Sequence, residues 1–266
     1  MSGGTPYDKV MLARAKGRAT AAEYINRIFT DFIELHGDRH FADDKAVVGG
    51  VAYLAGMPVT VISMEKGKDT KSKVYRNFGA PNPEGYNKAL RLMRQAEKFS
   101  RPVVCFVDTA GAFCGLGAEE RGQGRAIAQN LAEMITLKTP IISIFIGEGG
   151  SGGALALACS DEVWMMENAI YSVISPEGCA SILWKDSKKV KAAAQSLRLT
   201  AQDMQKLQVA EKVIPEKGSF DACCRTMAQD LRAAFDARRD IPKDELIRTR
   251  YERFRKYGAQ IVPEDF

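Results

Sequence analysis

Apolar residues in this chain follow two periods. Over 46–64, 102–107 and 141–146 β-branched and aromatic residues alternate or run together, whereas over 83–99 and 219–235 apolar residues recur every three or four positions. The first pattern predicts strands and the second amphipathic helices. Ala46 to Leu54 and Met57 to Met64 predict a hairpin turning at Ala55-Gly56. Tyr86, Ala89, Leu90, Met93 and Ala96 share one face of a helix over Pro83 to Phe99, and Pro102 to Val107 comes next as a buried strand.

Thr5-Pro-Tyr-Asp8, Thr20-Ala-Ala-Glu23 and Thr200-Ala-Gln-Asp203 read as capping boxes that open helices. The second helix places Ile25, Ile28, Phe29, Phe32 and Leu35 on one face and is expected to end near Gly37. Glu65 to Arg76 holds Lys66, Lys68, Lys71, Lys73 and Arg76 without an apolar period, and reads as a basic loop, either solvated or attracting an anionic ligand. Glu119 to Gln123 opens a helix with Ile127, Leu131, Met134 and Ile135 inward. Glu162 to Met166 and Ile170 to Ile174 predict further strands, and Ser175-Pro-Glu-Gly178 starts a helix that runs to Trp184. From Ser219 the chain turns helical and charged, with a last basic helix over Leu246 to Tyr257. The expected organisation is one domain overall: an N-terminal helical segment (1–40), a core (41–218) and a C-terminal helical extension (219–266).

The organising stretch is Ile142 to Cys159, where a buried strand leads through Gly147, Gly149, Gly150, Gly152 and Gly153 into an apolar helix start. So many glycines imply a close approach to the backbone, and free N–H groups at a helix start suit an anion or a developing oxyanion. Asp108 to Gly117 is a second glycine-bearing turn after a strand, about forty residues before the first, so two backbone-donor turns are expected to converge on one pocket. Gly147-x-Gly149-x-x-Gly152 fits a dinucleotide fingerprint, but Ser160-Asp161 closes the helix too early for a parallel crossover. Gly149-x-Ser151-x-Gly153 fits a hydrolase elbow, yet the only histidines, His36 and His40, precede Ser151, against the order of that triad.

Composition narrows the class further. The chain has 266 residues and a net charge of 38 − 33 = +5, with basic residues scattered, so nucleic acid is not indicated. Without an apolar run of membrane length or a signal-peptide core, a cytoplasmic protein away from membranes is expected. The six cysteines include no C-x-x-C pair and read mainly as reduced packing thiols with no metal site; Cys114, in a glycine-rich loop, is the one open to exposure, although packing is the role expected of it too.

Gly147-Glu-Gly-Gly-Ser-Gly-Gly-Ala-Leu-Ala, Ala118-Glu-Glu-Arg-Gly-Gln-Gly, Ser172-Val-Ile-Ser-Pro-Glu-Gly-Cys-Ala-Ser-Ile-Leu-Trp184, Asn77-Phe-Gly and Phe32-Ile-Glu-Leu-His-Gly-Asp-Arg39 together resemble the carboxyltransferase α subunit of bacterial acetyl-CoA carboxylase, from Tyr7 to Tyr257. The resemblance implies an α/β crotonase-like superhelix of repeated ββα units over 41–218. It also implies an α2β2 assembly with a carboxyltransferase β subunit, which holds acetyl-CoA and in many bacteria a zinc ribbon. Further implied partners are the biotin carboxyl carrier protein, which brings carboxybiotin, and biotin carboxylase, the one component that uses ATP. The reaction implied is carboxyl transfer to acetyl-CoA, giving malonyl-CoA for fatty acid synthesis, with the freed ureido nitrogen of biotin taking the methyl proton. On this reading the backbone of Gly149, Gly150, Gly152 and Gly153 forms an oxyanion hole. Gly111, Ala112, Ser151, Lys66 and Lys68 then bind substrate. A carboxyltransferase for propionyl-CoA, a stand-alone acyl-CoA hydratase or decarboxylase, and a non-catalytic scaffold are the alternatives. The chain departs from the family at Ala110, Phe113 and Cys114, where Pro, Tyr and Pro are common, which predicts a less rigid loop without a tyrosine hydroxyl.

Overall fold

The hairpin turn at Ala55 (φ 45°) and Gly56 (φ 80°) has both central residues left-handed, as a two-residue turn between twisted antiparallel strands requires. The computed structural model describes residues 4–258. Among them eight strands form one sheet: β1 (Thr30–Glu34), β2 (Val47–Leu54), β3 (Met57–Met64), β4 (Val103–Thr109), β5 (Ile141–Gly150), β6 (Glu162–Met166), β7 (Ile170–Ser172) and β8 (Lys212–Ile214). The order is β1-β2-β3-β4-β5-β6-β8, with β7 pairing the far end of β5. β1, β2 and β3 are antiparallel neighbours and all later pairs are parallel. β4 is buried at every position and β5 at all but Gly150, which explains why both read as unbroken apolar runs.

Helices α1 (Pro6–Ala13) and α2 (Ala21–Ile28) start from the capping boxes at Thr5 and Thr20. α3 is Thr70–Tyr75, α4 Pro83–Lys98, α5 Leu116–Glu120, α6 Gln123–Thr136, α7 Ser151–Leu155 and α8 Pro176–Trp184. α9 (Val190–Ser196), α10 (Ala201–Lys206), α11 (Phe220–Asp236) and α12 (Lys243–Arg255) complete the chain. α4 buries Tyr86, Leu92 and Met93 in the main core, and Tyr24 of α2 stacks on Phe106 of β4, ring centroids 5.8 Å apart. α11 joins the same core through Cys224, Met227, Leu231 and Phe235.

Three expectations are corrected. The second helix stops at Ile28; Phe29 is extended and Thr30–Glu34 forms β1 instead, because β2 offers a free edge and the Leu35 N–H donates to Gly49 O at 2.8 Å. The basic stretch is not all loop: Asp69 accepts from the Ser72 N–H at 2.8 Å and caps the short helix α3. The glycine run begins in a strand, since β5 continues to Gly150, so Gly147 and Gly149 lie inside the sheet.

Residues 1–3 and 259–266 of the N-terminal and C-terminal stretches lie outside the described residues. α12 is fastened by the fully buried Arg250. Its guanidinium contacts both oxygens of Asp161 (2.8 and 2.9 Å) and donates to the carbonyls of Met134 (2.6 Å), Leu137 (2.8 Å) and Thr139 (2.9 Å). Arg250→Met leaves the buried Asp161 without its cation and takes a donor from each of three carbonyls, and should lower unfolding free energy by about 3 kcal/mol or more in a urea titration.

Candidate functional site

β4 and β5 run parallel, with Thr109 opposite Gly149, and the turn leaving β4 packs against the turn leaving β5. A Cβ built at Gly150 would lie closer than 3.0 Å to the Ala110 carbonyl, and one at Gly153 closer than 3.0 Å to Ala112 N and Gly111 C. The two turns therefore converge, backbone on backbone, as their placement after two strands suggests. Ser151 turns the chain at φ 53° into α7, and the N-cap Gly150 offers no side-chain acceptor. The amides at the start of α7 thus lack both intrahelical and capping partners. The Tyr86 hydroxyl donates to Gly153 O at 3.2 Å from beneath.

The facing loop is held from inside. The Gly111 N–H donates to Thr109 Oγ1 (3.0 Å), and the Thr109 hydroxyl donates to Gly111 O (2.7 Å). Phe113 N–H donates to Pro81 O (2.9 Å), and the Gln123 amide donates to both Pro81 O and Phe113 O. Gly149 serves the sheet, paired with Thr109 and Tyr171, and a Cβ there would enter the Phe145 ring. Ser151 and Gly152 line a groove of about 280 Å³ with Leu155, Tyr171, Val173 and Met204. Cys114 is exposed.

Beneath the converging turns lies a charged cluster that sequence patterns did not reveal. Lys66 Nζ sits 2.7 Å from Asp108 Oδ1 and 2.8 Å from Glu148 Oε2. Asp108 Oδ1 also accepts the Glu148 N–H at 2.8 Å. Arg14 holds the other Glu148 oxygen at 2.6 Å and reaches Glu177 of α8 at 2.8 Å. Burial pushes the Lys66 ammonium toward neutrality, but Asp108 and Glu148 outweigh it and leave its pKa above the ordinary lysine value. Burial likewise raises the Glu148 carboxyl, and Lys66 and Arg14 outweigh it and hold it below the usual glutamate range. Lys68 is exposed and pairs with Glu23 at 2.8 Å. The only sequence signal for the cluster was a lone carboxylate ending each of two apolar runs, Asp108 and Glu148.

A larger cavity of about 470 Å³ lies against α12, away from the glycine turns. Among its charges, Arg250 pairs with Asp161, Arg238 with Glu162 and Arg253 with Glu211. Among the described residues no group of three His, Cys, Asp or Glu side chains is placed to hold a metal ion. No described helix is long and apolar enough to cross a membrane.

This sheet with crossover helices superposes on transcarboxylase 12S with a TM-score of 0.69 at 19% identity, covering 89% of this chain and 45% of that one. The fold is thus crotonase-like. The family model described as acetyl co-enzyme A carboxylase carboxyltransferase-like matches residues 2–258. A protein of Ruminiclostridium cellulolyticum named acetyl-coenzyme A carboxylase carboxyl transferase subunit alpha is 59% identical over 253 residues, 95% of this chain and 97% of that one. In Natranaerobius thermophilus, a protein named for the beta/alpha subunits of the same enzyme is 58% identical over 262 residues, 97% of this chain but 43% of that one. The chain belongs to the acetyl-CoA carboxylase carboxyltransferase α-subunit family.

The packing of the turns and the charges beneath them can each be tested. Gly150→Ala and Gly153→Ala meet backbone and should each destabilise by about 1–3 kcal/mol, whereas Gly152→Ala, whose Cβ has only Ile127 at 3.7 Å, should change stability by under about 1 kcal/mol in thermal unfolding. Because the folded Glu148 pKa is depressed, its contribution is complete above the unfolded value of 4.5 and is lost as pH falls through the lower folded value. Lys66, raised, contributes fully below 10.5 and loses this as pH climbs through its folded value. Glu148→Gln should therefore flatten the acid limb of stability against pH, measured by urea titrations.

Proposed function

We propose that this chain forms the carboxybiotin-binding half of an acetyl-CoA carboxylase carboxyltransferase, active with a β subunit that holds acetyl-CoA. The biotin carboxyl carrier protein brings the carboxybiotin, and ATP is used only by biotin carboxylase, which loads it. The reaction moves a carboxyl group from a biotin ureido nitrogen to the methyl carbon of acetyl-CoA, while negative charge gathers on the ureido oxygen. The observation that carries this reading is the unpartnered start of α7 pressed against Ala110–Ala112.

Backbone N–H groups of Gly152 and Gly153 donate to that oxygen, and Ala112 bounds the cradle opposite. Glycine at 150 and 153 lets the two turns close to contact, and Thr109 fixes Gly111 so that the cradle keeps its shape before substrate arrives. The groove beside Ser151, lined by Leu155, Tyr171, Val173 and Met204, suits the apolar bicycle of biotin. Lys68, at the surface, attracts the anionic substrates through charge, whereas the charge of Lys66, expected to bind substrate, is taken up by Asp108 and Glu148.

The test is reconstitution of the chain with a carboxyltransferase β subunit, then malonyl-CoA formation from carboxybiotin and acetyl-CoA, with propionyl-CoA in parallel. The chain alone should be inactive; turnover of acyl-CoA without β subunit or biotin would support the hydratase or decarboxylase reading instead. Ser151 has a left-handed backbone that Asp and Asn tolerate, so both variants should fold. Ser151→Asp sets a carboxylate against the amides and should reduce kcat/KM at least about tenfold, while Ser151→Asn stays within about threefold of wild type. Equal activity of the two variants would place the charged oxygen elsewhere.

A further inference from the structure

We infer that Lys66 is a positioning residue for carboxyl transfer: its ammonium ties Asp108 at the end of β4 to Glu148 near the end of β5 and so sets the spacing between segments 110–112 and 150–153. The catalytic consequence rests on the carboxyltransferase reading above, whereas the spacing itself can be measured without substrate.

The geometry is direct. Asp108 lies two residues before Ala110, whose carbonyl meets Gly150, and Glu148 lies two residues before Gly150. Nζ reaches both carboxylates, at 2.7 and 2.8 Å, so the two strand ends share one counter-ion. Without it two carboxylates face each other directly below the cradle and repel. Arg14 does not replace Lys66, because it holds the opposite oxygen of Glu148 and is shared with Glu177.

Lys66 is itself fixed from above. Asn77, Phe78 and Gly79 all take left-handed φ (49°, 53° and 73°), and this turn lies across the Lys66 stem so closely that a Cβ at Gly79 would come 2.5 Å from Lys66 Cγ and 3.1 Å from Asp108 O. Two consecutive non-glycine residues, Asn77 and Phe78, in a sparsely populated region mark a conformation imposed by what it covers. Glu65, also buried, ties the backbone beside Lys66 to α2 by accepting the N–H groups of Gly67 (2.7 Å) and Ala22 (2.8 Å). The Lys66 side chain is only 19% exposed and is turned inward, as a brace between strands needs.

The experiment uses the full chain, alone and with its β subunit, as wild type, Lys66→Met and Lys66→Met/Asp108→Asn. In the double variant the side-chain amide introduced at position 108 still accepts the Glu148 N–H but no longer repels the Glu148 carboxylate. In Lys66→Met, amide hydrogen exchange at 109–113 and 149–154 should quicken about tenfold or more, with α6 and α11 unchanged. kcat should fall at least about tenfold with KM for acetyl-CoA and carboxybiotin within about twofold, and the double variant should regain at least about threefold of kcat. Should Lys66→Met fail to fold, the double variant, freed of the repulsion, carries the same comparison with wild type. Unchanged exchange in both segments overturns the inference, and so does a raised KM at constant kcat, which would make Lys66 a direct substrate contact. A wild-type complex that makes no malonyl-CoA would refute the functional reading alone, since the exchange result still decides the spacing.

Discussion

Where Ala110–Ala112 meets Gly150–Gly153, main chain touches main chain, and the surrounding structure is shaped by that contact. Adjacent strands lie about 4.8 Å apart through their hydrogen bonds, but past the strand ends only side-chain size limits the approach. Each glycine inside an element costs about 0.5–1 kcal/mol of extra conformational entropy. The buried apolar residues of β4 and β5, Val103 to Val107 and Ile141 to Ile146 apart from Ser143, offset it, and the facing residues Ala110 and Ala112 are small. Such a contact brings the backbone dipoles of two segments to one place.

Two of the buried charge groups serve different purposes. Arg250 directs its donors to carbonyls and to Asp161, so it closes the end of α6 and the turn after it against α12. Lys66, Asp108, Glu148 and Arg14 instead form a chain of alternating sign across three strand ends and the first turns of the molecule. Removing charges from water costs about as much as their mutual attraction returns, so neither group is a large source of net stability. What both provide is a single permitted arrangement of the elements they join.

Much of the fold was legible in the sequence because it depends on local chemistry. The capping boxes at Thr5, Thr20 and Thr200, the hairpin at Ala55-Gly56 and the α4 stripe all report forces acting within a few residues. β1 was misread because Ile28, Phe32 and Leu35 satisfy helical spacing, while the competing interaction, the open edge of β2, is distant in sequence. The glycines around 150 were readable as a site of close approach, yet not which of them serve the sheet, since Gly147 and Gly149 differ from Gly152 only by the neighbours they face, Asp108 and Phe145. The inward turn of Lys66 was invisible for the same reason: its partners lie 42 and 82 positions along the chain, 108 − 66 and 148 − 66.

β5 is long enough to be gripped twice, by β6 along residues 142–145 and by β7 along 148–150, while β4 lines its other side. A strand laced to neighbours on both flanks has no hinge of its own, and its tip is further tied to the end of β4 through Lys66. The backbone at 148–150 is therefore ordered when the chain folds, as a property of the sheet and not of anything that meets it later.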